Sequence, residues 1–175
     1  MSPIRMIAIT ALAALITPMV GPAPASADPV TGVTCVASTY TVRFNPGITL
    51  LTPQTVAVTV EMRLVNCLSL SQPTITSGTV DAVRTLNDFT CLSILQPLSF
   101  GIVTIQWSNG QTSSVNLSLQ VVGVAVVGFG PVVSGVFSGK QFTAVLTGLP
   151  ITTPVECLTA QGAKQITGAI QADIT

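Results

Sequence analysis

The stretch SFGIVTIQWSNGQTSSVNLSLQVVGVAVV, residues 99–127, decides how this chain folds. Val103, Ile105 and Trp107 recur at every second position, and Val115, Leu117, Leu119 and Val121 do the same after a polar break. Period two sends alternate side chains to opposite faces, so the stretch predicts a strand, a reversal at Ser108-Asn109-Gly110-Gln111, and a long return strand. Asn-Gly suggests a two-residue type I′ turn, but that turn would set Ile105 against Ser114, which belong to opposite faces. A three-residue loop, Ser108-Asn109-Gly110, with Gly110 left-handed and a bulge, instead pairs Trp107 with Gln111 and Val103 with Val115.

Downstream, residues 121–133 are nearly all Val, Ala and Gly, apolar on both faces as in a central, covered strand. An exposed, sticky edge and a self-associating segment are the alternatives, and Gly128, Gly130 and Pro131, which interrupt the run, make assembly into fibrils the lesser reading. Residues 133–149 predict a second hairpin about a type II′ turn at Gly139-Lys140, with Phe137 facing Phe142, Gly135 facing Ala144 and Val133 facing Leu146. A Pro-containing loop follows over 148–156, beside Cys157. Ile166, Gly168, Ile170, Ala172 and Ile174 then alternate as a closing strand.

Upstream, Val36, Tyr40, Val42 and Phe44 alternate with Thr39, Thr41 and Arg43, and Asn45-Pro46-Gly47 carries the chemistry of a turn that ends the strand. Val56, Val58, Val60, Met62 and Leu64 repeat the alternation, and a weaker strand covers 77–83. Asn87-Asp88 reads as a turn, and 91–97 as irregular or a short edge segment. Eight to ten short strands and no helical stripe predict an antiparallel β-sandwich, immunoglobulin-like in the broad sense, with a closed β-barrel as second choice.

The first two strands can be registered through cysteine. If Cys35 faces Cys67, Tyr40 faces Met62, Val42 faces Val60 and Phe44 faces Val58, all on the apolar face. Arg43 then becomes a diagonal neighbour of Glu61. Four cysteines allow three connectivities; this register selects Cys35–Cys67 and leaves Cys91 with Cys157. Zinc binding is the competing use, disfavoured because the chain has no histidine and no closely spaced cysteine pair.

Residues 1–27 read as a signal peptide: Arg5, an apolar run over 6–20, a Gly-Pro break and Ala25-Ser26-Ala27 before the expected cleavage site. The run falls short of the ~20 residues that span a bilayer. The remainder, 28–175, suits a single β domain with two disulfides, exported and without a transmembrane anchor. It holds five Lys and Arg against six Asp and Glu, a net charge of −1. Such a chain has no electrostatic footprint for nucleic acid or an anionic membrane.

The Ala/Pro-rich leader ending Ala25-Ser26-Ala27, Asn45-Pro46-Gly47-Ile48, Thr74-Ile75-Thr76-Ser77-Gly78, Ile105-Gln106-Trp107-Ser108-Asn109-Gly110-Gln111-Thr112-Ser113 and the order of the four cysteines carry a resemblance. The chain resembles uncharacterised secreted β-sandwich proteins of actinomycetes. The resemblance implies secretion, β structure and paired cysteines, and no catalytic residue.

Without histidine the usual base of a Ser or Cys triad is missing, and all four cysteines are committed to bridges. Ser138 beside Lys140 reads as a turn with a solvated lysine rather than a dyad. Asp81 with Asp88, or Glu61 with Glu156, could supply paired carboxylates, but neither pair has the aromatic surroundings that sugar stacking uses. Trp107 and Tyr40 fall on core faces. No cofactor is expected, and no phosphate loop or EF-hand spacing is present. The reading is a secreted, non-enzymatic binding or surface module. A carrier of a small apolar ligand is the alternative, lined by residues 121–129, Phe137 and Phe142. A proteinase inhibitor presenting 148–156 ranks third.

Overall fold

A computed structural model describes residues 32–123, 125–148 and 155–175. Among these described residues nine strands form: β1 (Val33–Ile48), β2 (Gln54–Leu64), β3 (Cys67–Leu68), β4 (Gly78–Phe89), β5 (Leu98–Trp107), β6 (Thr112–Val122), β7 (Ala125–Gly135), β8 (Gln141–Thr147) and β9 (Ala163–Ile174). Each pairs antiparallel with its neighbour in the order β2-β4-β5-β6-β7-β8-β9-β1, and β1 pairs back onto β2. Eight strands thus close into a barrel, and the two-residue β3 lies outside that circuit against β1. The expected sandwich is not what forms. A sandwich and a barrel need the same alternation along every strand, and the β1–β9 and β1–β2 ladders, both on one strand, close the ring.

The first two strands carry the expected register, with Tyr40 opposite Met62, Val42 opposite Val60 and Phe44 opposite Val58. Cys35 lies opposite Cys67 and is bonded to it; Cys91 is bonded to Cys157. Arg43 and Glu61 form an ion pair on the outer face, and Arg63 reaches Asp81 at 3.7 Å. The β5–β6 loop is the bulged three-residue one: Gly110 has φ +83°, its N–H donates to the Trp107 carbonyl, and the Trp107 N–H donates to the Gln111 carbonyl.

Other expectations fail for local reasons. Ala37 takes φ +58° in a bulge, so parity shifts there and Val36 points to solvent. Strand β1 continues through Asn45-Pro46-Gly47, absorbing them between Arg43 and Ile48 as an irregularity. Strand β4 continues through Asn87-Asp88, which read as a turn. Residues 121–133 are not one strand: the chain reverses after Val122, and Val122 pairs with Ala125. In the next hairpin Pro131 pairs with Gln141 and Val126 with Leu146, so Phe137 does not face Phe142. Strand β7 stays with β6 as far as Gly135, and Val136 N–H still reaches the Thr112 carbonyl at 2.8 Å. The β7–β8 hairpin closes at Val132, whose carbonyl accepts from the Gly139 N–H and whose N–H donates to the Lys140 carbonyl, both at 2.8 Å, so residues 133–138 form the connection.

Inward positions are apolar and outward ones carry Thr, Ser, Gln and charge, as in β2, where Val56, Val58, Val60, Met62 and Leu64 are buried. A membrane-spanning barrel has the opposite pattern, apolar towards lipid and polar towards the lumen. Among the described residues no helix is long and apolar enough to cross a membrane. The expected leader, 1–27, lies outside the described residues.

Candidate functional site: an apolar cavity at one end of the barrel

Because the strands run up and down, the connections alternate between two ends, and the ends differ. At the end holding the β5–β6 and β7–β8 loops, large side chains occupy the interior. Trp107 is buried there, its ring meets Phe137 edge-on at 6.0 Å between centroids, and its indole N–H donates to Ser113 Oγ at 2.8 Å. Ser113, itself fully buried, donates its hydroxyl hydrogen bond to the Val136 carbonyl at 2.5 Å. Trp107 therefore has the structural setting its core-face position suggested, and Phe137 is the plug over it.

The other end is not filled. A cavity of about 80 Å³ lies between Tyr40, Val42 and Phe44 of β1, Val58 and Val60 of β2, Leu86 and Phe89 of β4, and the facing walls from β5 to β9. One water needs ~10–15 Å³, so this is room for more than a packing defect. The far wall includes Phe100, Leu119, Val126, Leu146 and Ile166. The Tyr40 hydroxyl is the one side-chain polar atom among the lining residues. Apolar cavities stay dry and accept apolar guests, because a water inside would lack two to four polar partners.

Local sequence explains the opening. Tyr40 sits opposite Gly168 on β9, and a Cβ there would lie 2.6 Å from the Tyr40 hydroxyl oxygen, so the glycine lets the ring lie across β9. The hydroxyl donates over 3.4 Å to the Thr147 carbonyl. Burial pushes the phenol up to about 12, so it is a neutral donor at any physiological pH. Phe44 and Phe89 stack at 6.3 Å and form part of the floor.

This end is capped and cross-linked. A 3-10 turn, η1 (Cys91–Leu95), opens at Thr90 with a capping box to Ser93 and presents Ile94 to the cavity. A second turn, η2 (Val155–Leu158), holds Cys157. The Cys91–Cys157 bridge joins the two turns, Cys91 N–H donates to the Thr49 carbonyl, and Leu50 N–H donates to the Cys157 carbonyl, both at 2.9 Å. Leu51, Leu92, Leu95, Val122, Val155 and Leu158 are exposed on these same connections, an apolar fringe around the cavity end.

The sequence located this site only in part. Among the described residues of the lining expected from 121–129, Phe137 and Phe142, Val126 alone borders the cavity. Phe137 and Phe142 lie towards the Trp107 end, because the β7–β8 register differs from the one parity suggested. Tyr40 falls on the core face as expected and also lines the space. Glu61 and Asp81 are partners of Arg43 and Arg63 on the outer surface, and Glu156 lies on η2. Among the described residues no group of three or more His, Cys, Asp or Glu could hold a metal ion. Most of the loop over 148–156 lies outside the described residues.

One residue went unread in the sequence: Arg84. It occupies the inward parity of β4, in line with Val80, Ala82 and Leu86, and that position was the available signal. Comparison with protein-family models, curated proteins and solved structures returned no match.

Proposed function

We propose that this protein is a non-enzymatic carrier of a small apolar ligand, exported to an oxidising compartment. The observation that carries the reading is the apolar cavity inside one end of a barrel whose other end is occupied by Trp107 and Phe137. A module that acted only through its outer surface would have no need of that space, since a filled interior is worth more stability. The cross-linked cap and the fourteen lining side chains drawn from eight strands and a 3-10 turn favour a preformed site over an incidental void. The apolar fringe supports transfer from another apolar surface.

Export, the cleaved leader and kinship with actinomycete secreted proteins belong to the same proposal. Two disulfides are compatible with an extracellular protein. Native mass spectrometry of protein collected from the medium of producing cells tests the carrier reading. A stoichiometric adduct, lost on extraction with organic solvent, is expected. A bare chain that also shows no saturable uptake of aliphatic alcohols would overturn it.

A further inference from the structure

The barrel wall has an unusual seam. Strands β4 and β5 pair only at Gly78–Trp107, Thr79–Gln106 and Val80–Ile105, whereas every other ladder of the ring is longer. Beyond Val80 and Ile105 the strands separate, and the gap runs alongside Leu86, Phe89, Ile94, Leu98 and Phe100 of the cavity lining. With the barrel end capped and cross-linked, this seam is the least closed part of the wall around the cavity among the described residues.

Arg84 spans it. Its Nε–H donates to the Phe100 carbonyl at 3.2 Å, one Nη2–H to the Ile102 carbonyl, and one Nη1–H to the Val83 carbonyl at 3.1 Å. Its guanidinium carbon lies 5.9 Å from the centre of the Phe100 ring, which faces the cavity. These bonds stand in for part of the missing ladder. They do not neutralise the charge: Arg43 and Arg63 each meet a carboxylate, but among the described residues no carboxylate lies within 4.0 Å of Arg84. A guanidinium has five N–H donors, so among the described residues one remains on each terminal nitrogen, the number that a carboxylate takes in a bidentate pair.

We propose that the ligand is an amphipathic carboxylate. Its apolar part fills the cavity, and its carboxylate sits in the β4–β5 seam, paired with Arg84. This rests on the carrier reading and narrows it. An arginine kept only to bridge carbonyl oxygens would do so equally well whatever head group the ligand carried, so the head group is what the test varies.

The test is titration calorimetry of the full chain at neutral pH with butyrate, 1-butanol and butylammonium, chains short enough for a cavity of about 80 Å³. Butyrate is expected to bind about tenfold or more tightly than butanol, the worth of one hydrogen bond to a charged group. Arg84→Met should reduce butyrate to the level of butanol, and Arg84→Glu should shift the preference to butylammonium. Equal binding of butyrate and butanol by the unaltered protein would overturn the assignment while leaving the carrier reading standing, and that comparison needs no variant to fold. Butyrate binding unchanged in a folded Arg84→Met protein would overturn it as well. Binding of none of the three probes would overturn both readings.

Discussion

Val60 and Val115 are both buried valines at inward positions of the same barrel, and they should respond in opposite ways to one added methylene. Val60 borders the cavity; Val115 lies outside the lining and is completely enclosed. Replacing each by isoleucine keeps the β-branch and the strand preference, so the difference reports packing alone. In Val60→Ile the new carbon enters empty apolar space, and burying a CH₂ is worth ~0.8 kcal/mol. In Val115→Ile it must displace neighbours in a close-packed interior, at a cost of ~1–3 kcal/mol. The two variants should therefore differ by about 2–4 kcal/mol, or on the order of 5–10 °C in Tm for a domain of this size. Urea unfolding with the disulfides intact measures the gap through the midpoint at constant slope. Equal losses in both variants would refute the reasoning, because they would mean that the space beside Val60 is not available to a side chain.

Reduction of both bridges should lower stability strongly: closing loops across separations of 32 and 66 residues is worth ~3.5–4.5 kcal/mol each in the chain-entropy model, and a melting curve indifferent to reductant would contradict it. The single tyrosine makes phenolate absorbance a clean probe of Tyr40. Its folded pKa lies above the unfolded value of 10.0, so the stability it contributes is complete below pH 10 and is lost as pH rises towards about 12; a titration midpoint near 10 in the folded protein would contradict the burial. Trp107→Phe removes the donor to Ser113 and should cost at least ~1–3 kcal/mol in chemical denaturation; a neutral result would mean that the Trp107 end is not the packed one.

Much of the fold could be read from residues whose neighbours are local in sequence. The β1–β2 register followed from Cys35, Cys67 and a strict alternation, and the loop at Gly110 followed from parity. Closure was harder, since β1 meets β9 across nearly the whole chain and inward alternation looks the same in a sandwich. Ala37 shows another limit: a left-handed alanine in a bulge has no composition cue, and it moved Val36 to the surface. Phe137 obeyed the parity of a type II′ hairpin yet packs on Trp107, because the β7–β8 hairpin closes at Val132 and leaves Phe137 in the connection.

The cavity itself was scarcely legible. Leu119, Leu146 and Ile166 sit on apolar faces like any core residue, and only three-dimensional packing decides whether such faces meet or leave a gap. Arg84 was the exception, a charge at an inward position of a strand with weak alternation. A basic residue breaking an apolar face carries more functional information than the aliphatic run over 121–133, which proved to be a hairpin.

The most direct measurement of ligand binding in the barrel is a methyl NMR titration of the Val- and Leu-labelled chain with 1-butanol. Saturable shifts are expected for Val42, Val58, Val60, Leu119 and Leu146, with Val103, Val115 and Val132 unmoved. An absence of saturable shifts, or shifts confined to exposed Leu51, Leu92 and Leu158, would contradict a ligand site inside the barrel.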